Sequence, residues 1–523
     1  MKPLRSALVV LLMMSLAPSF RAQAGREAGF EVCASLYPWD VHDEGIDVML
    51  DNLIGLAGVN SVYLISVMHE EHRPFNGPPG TGPWLYIHNP ARTEWNVEDS
   101  RAYFQPRPER YGRIKPYTSA YAWLRDTDWL DVVIKAARAR KLKVGAEVSH
   151  TYLPREIFAA HPEYQQCDLN GKPLARPCPN HPDVREYLVA LYAELAARYD
   201  LDFVQTCMYL FAGSGLKDGT CFCEACQREA ASQGFDLAGA MPILRDNPNA
   251  QPQLDRWLSF RKAATTRTYK LIVEGMRKVR PGIDFRLNDQ NNRPTGLALE
   301  ELKTEITSVH LSTHTEQEGY EKTDRKSRID TVRYFLGPDV PIIPGIPVRL
   351  LATPAIVRSS IKISVDNGAR GIALKHYDGA SFSLLRAVRD GLAGAGVRGY
   401  PPHRGVEAED MTLSGYVPDT FLTERCVKTA GSGVATSTFE GASGVYDIVV
   451  SYADEKDVRG SLALFTGGAR RADWALRGDA ACWRRKTVAG IALKSGDEIR
   501  IAGTANGREG ARVDHVEFIE RKR

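Results

Sequence analysis

An excess of either charge sign is the first thing this sequence lacks. Lysine and arginine number 67 against 64 aspartates and glutamates, a formal charge of +3. Lys2, Arg5 and Arg21 all precede residue 25 with no acid among them, so the remainder is balanced. A nucleic-acid partner calls for a basic excess or stripe, so none is expected, and a neutral substrate suits the chain better than a polyanion. Beyond the N-terminus there is no long apolar run, hence no expected membrane span. The segment after the first strand reads LYPWDVHDEG, not a glycine-rich phosphate turn, which argues against a doubly wound nucleotide-binding sheet. No H-E-x-x-H pair occurs, which argues against a catalytic zinc triad. Cysteine is scarce, nine in all, yet three crowd into DGTCFCEACQREA.

What is present sorts into four parts. MKPLR is basic, SALVVLLMMSLA is apolar but too short to span a bilayer, and AQA supplies small residues before Gly25. Residues 1–24 therefore read as a signal peptide, and the mature chain is expected in the periplasm or outside the cell. From 25 to 398, short β-branched runs alternate with amphipathic stretches: FEVCASLYPWD, SVYLISVM, LKVGAEVSH, DFVQTCMYLF, DFRLND, SVHLST, VPIIPGI and GIALKHYDG, each followed by a helical segment. Near-continuous apolar strands under period-3.6 helices are the signature of buried parallel strands, and eight units predict an α/β fold, a (β/α)₈ TIM barrel. Residues 399–404 form a proline- and glycine-marked linker. From 405 to 523 short alternating strands and dense turns predict an all-β jelly-roll sandwich.

Active sites of such barrels lie where strands end. Those positions hold Tyr37, Trp39 and Asp40; Glu147 and His150; Gln205, Cys207 and Tyr209; Asn288 and Asp289; His310, His314 and Glu316; Arg349; and Lys375, His376, Tyr377 and Asp378. Carboxylates, amides, imidazoles and aromatic faces together suit sugars, whose hydroxyls need polar partners and whose ring faces stack on aromatics. The catalytic pair is expected among Asp289, Glu316, Asp378 and Glu147. Substrate contacts are expected from Tyr37, Trp39, Asp40, His150, Tyr209, Asn288, His314, Lys375 and His376. The fourth strand, LDFVQTC, has no carboxylate at its C-terminal end, which favours one rival reading, a glycan-binding protein without catalysis; a polysaccharide lyase or esterase on the same scaffold is a second.

The three clustered thiols follow the fourth strand. Close neighbours rarely bridge one another, and an odd number cannot all pair. C-x-C-x-x-C spacing suits a thiolate zinc knuckle over Cys221, Cys223 and Cys226, with Cys178 or Cys167 as fourth ligand. Export favours disulfides instead, so bound metal, a mixed disulfide set and free thiols all stay open. Cys33 and Cys207 read as buried thiols, and Cys426 and Cys482 as a possible bridge within the sandwich.

Two resemblances add to this. HPEYQQCDLNGKPLARPCPNHPDVREYL, YDLDFVQTC and CFCEACQ resemble a broad group of bacterial glycoside-hydrolase-like barrels, and the CFC..C loop is similar to the zinc-binding cysteines of family 42 β-galactosidases. VEAEDM, GVYDIVVSYADE, SGDEIRIAGT and VDHVEFIE resemble family 6 and family 35 carbohydrate-binding modules. The first resemblance implies a glycosidase acting on a polysaccharide or its oligomers. The second implies a carbohydrate partner, a sugar platform for which Trp474, Trp483 and Tyr416 are candidates, and a structural calcium held by Glu407, Glu409 and Asp514.

Overall fold

The computed structural model describes residues 29–67, 88, 100–149, 153–208, 210–289, 295–312, 320–349, 352–375, 377–429, 431–455, 459–476, 482–506 and 510–521. The expected signal peptide, residues 1–24, lies outside them.

Eight parallel strands form the first half: β1 (Glu31–Leu36), β2 (Ser61–Val67), β3 (Lys143–Val148), β4 (Phe203–Thr206), β5 (Asp284–Asp289), β6 (Ser308–Leu311), β7 (Ile342–Pro347) and β8 (Gly371–Lys375). Each pairs with its successor, and β8 pairs back onto β1, Glu31 opposite Gly371 through Ala34 opposite Leu374, so the sheet closes into the expected barrel. Around it run α1 (Ile46–Asn52), α2 (Trp129–Ala139), α3 (Pro182–Arg198), α4 (Gln253–Val279), α5 (Tyr320–Leu336), α6 (Pro354–Asp366) and α7 (Phe382–Gly394). Their starts are written locally. Asp128, Thr353 and Ser381 accept from the backbone N–H three residues on, and proline opens α3 and α6. The helix expected over LALEELKTEI after β5 is instead a 3₁₀ turn, Leu299–Glu301. Leu299, Leu302 and Ile306 are buried without a further helical turn, and Lys262 of α4 holds Glu300 at 2.8 Å.

Inward side chains alternate along each strand and stack in layers. At the bottom Arg286 donates to both oxygens of Glu31, at 2.9 and 3.1 Å, and lies 3.7 Å over the ring of Phe203. Burial pushes the Glu31 carboxyl up, but Arg286 and Lys143 more than offset it, leaving it below its ordinary value. Gly145 of β3 makes room for this packing: a Cβ there would stand 2.2 Å from the Phe203 ring.

The second half is a sandwich of two antiparallel sheets. One runs Val417–Phe421, Glu424–Thr429, Ala511–Glu520, Gly444–Asp454 and Cys482–Leu493, with Gly405–Glu407 added on Ala511–Glu520. The other runs Thr412–Ser414, Ser432–Thr438, Glu498–Asn506, Arg459–Thr466 and Ala469–Leu476. Ile448, Val450, Leu462, Leu464, Ile499, Ile501, Val513 and Val516 form the interior between them. No described helix is long and apolar enough to cross a membrane.

Asp236 illustrates local control at low cost. It caps the helix Leu237–Asp246 by accepting from the Gly239 N–H at 2.8 Å. Asp236→Ala is expected to destabilise by about 1 kcal/mol, seen as a small fall in melting temperature with activity unchanged.

Candidate active site and metal-binding loop

The upper layer of the barrel carries the chemistry. Glu147 is 4% exposed and projects inward from β3. Its Oε2 accepts from Gln205 Nε2 on β4 and from Asn288 Nδ2 on β5, the latter at 3.3 Å. Burial raises its pKa, and the Lys375 charge with the two amide hydrogen bonds pulls part of that back. Lys375, at the end of β8, donates to Ser312 Oγ. Burial lowers the Lys375 pKa; Cys207 and Glu147 oppose this, while the nearby cations Arg349 and Arg328 reinforce it.

A second acidic centre forms where β8 meets β1. Asp378 is fully buried, and its Oδ1 accepts from the Gly379 N–H at 3.1 Å. Burial pushes its carboxyl up to about 7, despite the opposing pull of Arg349 and His88. Asp40, 1% exposed, accepts from the Tyr37 N–H at 2.8 Å; burial and then the charge of Asp378 raise it well above the ordinary value. Tyr37 stacks on Trp39 with ring centroids 4.4 Å apart and 12° between planes. Burial raises the Tyr37 hydroxyl, and the next two causes are Asp378 and Glu147, so this tyrosine stands within the field of both acids.

Glu147 and Asp378 thus stand at the C-terminal ends of β3 and β8, each within electrostatic reach of Tyr37, with Asn288 bonded to Glu147, Lys375 close to it in charge, and Asp40 within the field of Asp378. Asp289 is not in that set. Period-2 alternation on β5 sends Asn288 inward to Glu147, so Asp289 takes the opposite face, where it is buried. Glu316, His150, Tyr209, His314 and His376 lie outside the described residues. In the sequence, Gln205 and Arg349 are rim positions without an assigned role, and Ser312, just past the end of β6, is not among them; Gln205 is, like Glu147 opposite it, the penultimate residue of its strand, and that shared register is the signal that finds it.

Beyond the strand ends, the loop after β4 brings three cysteines against a fourth from the loop between β3 and α3, all four buried. Cys178, Cys221, Cys223 and Cys226 place their sulfurs within 4.8 Å of one another. Cys178 Sγ lies 3.5 Å from Cys226, 3.5 Å from Cys223 and 3.9 Å from Cys221. A disulfide would need about 2.05 Å. A tetrahedral zinc with arms of about 2.3 Å has sulfur–sulfur edges of about 3.8 Å, and the cluster fits that figure. The second layer also suits thiolates: the Cys167 N–H donates to Cys221 Sγ at 3.4 Å and Asn180 Nδ2 to Cys226 Sγ at 3.3 Å. Cys167 thus contributes its backbone, and Cys178 supplies the fourth sulfur. Burial pushes the Cys221 and Cys226 thiols well up, whereas hydrogen bonds from Cys178 and the other two hold Cys223 far down. Four buried thiols cannot ionise together without a compensating cation. Phe222, inside the motif, stacks on Trp257 of α4 at 5.2 Å, so the cluster pins the loop to a barrel helix.

In the sandwich, Cys426 is buried on the strand Glu424–Thr429 and Cys482 opens the strand Cys482–Leu493. Tyr416 and Trp483 are buried, and Trp474 is partly buried against the sandwich core, 5.8 Å from Tyr452. Glu407 and Asp514 both contact Arg386 of α7, while Glu409 lies 3.3 Å from Arg425.

No family model matches the chain. An alpha-glucuronidase of Hypocrea jecorina is 30% identical over 138 residues, covering 23% of this chain and 16% of that protein. Alpha-glucuronidase A of Aspergillus tubingensis is 33% identical over 147 residues, 24% of this chain and 17% of that one. Among solved structures, alpha-L-fucosidase isoenzyme 2 from Paenibacillus thiaminolyticus aligns with 73% of this chain and 51% of its own, at 15% identity and a TM-score of 0.47. A family 35 carbohydrate-binding module from Clostridium thermocellum aligns over 23% of this chain and 100% of its own, at 17% identity and a TM-score of 0.20. The chain thus spans about a sixth of the length of the curated relatives it matches.

Proposed function

We propose that this chain is an exported glycoside hydrolase in which Asp378 and Glu147 are the working carboxyls. The observation that carries the reading is their convergence. Two buried acids, both with raised pKa, sit at the ends of β3 and β8 and both act on Tyr37, which supports the reading that they face one site. Asp378, protonated up to about 7, is the donor to the glycosidic oxygen. Glu147, supported by Lys375, Gln205 and Asn288, serves as the ionised partner, as nucleophile or as base toward water. Tyr37 and Trp39, both buried and stacked on each other, form an apolar wall that holds the acids in a low-dielectric setting.

The sugar carries a carboxylate. Lys375 senses Arg349 and Arg328 as neighbouring like charges, and a uronic acid would relieve that crowding. The alpha-glucuronidase relatives favour the same class. The four cysteines hold a structural zinc that braces the mouth, and the sandwich binds glycan and concentrates substrate. The basic and apolar N-terminus directs export.

A panel of aryl glycosides and oligosaccharides tests the reading. Glucuronides are expected to be cleaved faster than the matching glucosides, and Lys375→Met is expected to raise KM for the glucuronide by about tenfold with a smaller effect on the glucoside. NMR of the first-formed anomer separates retention from inversion. Binding without cleavage of any member would favour a glycan-binding protein, a reading consistent with Gln205 where a carboxylate could have ended β4. Unsaturated or deacylated product masses would favour a lyase or esterase.

A further inference from the structure

The last barrel helix turns two arginines into the sandwich. Arg386 of α7 is 4% exposed. Its Nη1 donates to Asp514 Oδ2 at 2.9 Å, and its Nη2 donates to Glu407 Oε2 at 3.0 Å and to Oε1 at 3.3 Å. Asp514 is itself 1% exposed. Three residues along the same helix face, Arg389 Nη1 donates to the Gly55 carbonyl at 3.0 Å and approaches Glu517 Oε1 at 3.5 Å. Contacts also run the other way. Glu424 of the sandwich, 2% exposed, accepts from the Ser383 N–H at 2.8 Å in the first turn of α7, where the helix dipole favours an anion. Arg485 of the sandwich donates to Glu517 Oε2 at 2.8 Å and to the Asp51 carbonyl at 3.4 Å.

Glu407 and Asp514 are two of the three carboxylates that the module resemblance assigns to calcium, and Glu409, the third, is drawn to Arg425. Calcium needs about six to eight oxygens at roughly 2.3–2.6 Å. Here the two carboxylates instead face a planar guanidinium, whose fork matches their geometry and whose charge would repel a dication a few ångströms away. These residues do not fit a calcium site. We propose that Arg386 is the resident cation of this cluster, and that the acidic trough is a socket for α7 that joins barrel and sandwich into one rigid body without calcium. The inference rests on the interface alone and stands whether or not the barrel cleaves sugars.

The test uses the full chain. After dialysis against calcium-free buffer, elemental analysis is expected to find far less than one calcium per chain, and titration with calcium chloride is expected to leave the melting temperature unchanged. Arg386→Met is expected to do two things. Trypsin cleavage at the exposed Arg398, between the domains, should accelerate by at least about tenfold. Calcium chloride should then raise the variant's melting temperature, because the freed carboxylates accept the ion. Arg386→Lys, which keeps a charge in place, should show no calcium response. One tightly held calcium in the parent, or a parent melting temperature that climbs with calcium, overturns the proposal even if Arg386→Met fails to fold. A folded Arg386→Met that is neither cut faster nor responsive to calcium overturns it as well.

Discussion

Asp378→Asn is expected to lower kcat on a cleaved glycoside by about a hundred- to ten-thousand-fold, with KM little changed. Asparagine keeps the shape and the Gly379 hydrogen bond but cannot deliver a proton. Stability should move the other way. Folded Asp378 titrates at about 7, far above the roughly 3.9 of an exposed aspartate. Between those values the folded chain holds a proton that the unfolded chain has lost. Folding stability therefore falls as pH rises through that window, and the loss is complete above about 7. Asp40 contributes in the same direction. Removing the charge at position 378 should accordingly raise the melting temperature, by more at pH 8 than at pH 5. Activity of the parent should decline on the alkaline side as the donor ionises. Melts at both pH values, with the pH profile of kcat/KM, check this; an equal shift at both would assign Asp378 an ordinary structural role. Glu147→Gln should show a comparable loss of kcat, because an amide there retains contact with Asn288 but offers no charge.

The second large effect concerns the thiolate loop. Cys226→Ser is expected to abolish stoichiometric zinc and to lower the melting temperature by roughly 5 °C or more. Three remaining sulfurs would leave the metal without its tetrahedron, and without metal their charges have no counterion in a site that is buried throughout. Asn180 would then face a hydroxyl in place of the Cys226 sulfur, and the Cys167 N–H a Cys221 sulfur with no fixed charge. Elemental analysis and thermal melts measure both effects. Chelator treatment of the parent should reproduce the melting shift, and added zinc should restore the parent but not the variant. An unchanged melting temperature in the metal-free parent would reduce the cluster to packed thiols.

Much of this was legible in the residues. The barrel strands announce themselves because both faces are buried: SVYLISV is covered along its whole length. The loop cysteines were legible by spacing, and only the fourth partner needed three dimensions to choose Cys178 over Cys167. The early sandwich strands between Thr412 and Thr438 are hard to read, since VPDTF is largely exposed and SGVATST carries small, polar residues with weak apolar alternation. Asp289 misled for a related reason. Position along the chain says that it ends a strand, but a shift of one residue reverses the face, and Asn288 is the one that reaches Glu147. The Arg386 socket was hidden because a helix arginine looks like an ordinary solvated charge until the second domain is laid against it.

The pairing of β8 with β1 has a consequence for how the molecule comes into being. Ser35 Oγ donates to the Leu374 carbonyl, a contact that joins positions 339 apart in the chain. Asp40 and Asp378 belong to the same seam. As the polypeptide leaves the ribosome, its opening strand must wait without a neighbour on one edge until nearly four hundred residues have emerged. A prematurely released fragment, however well its early segments are made, lacks the Asp378 half of this seam, so the proposed site can form only in a single late step when the two ends of the barrel meet.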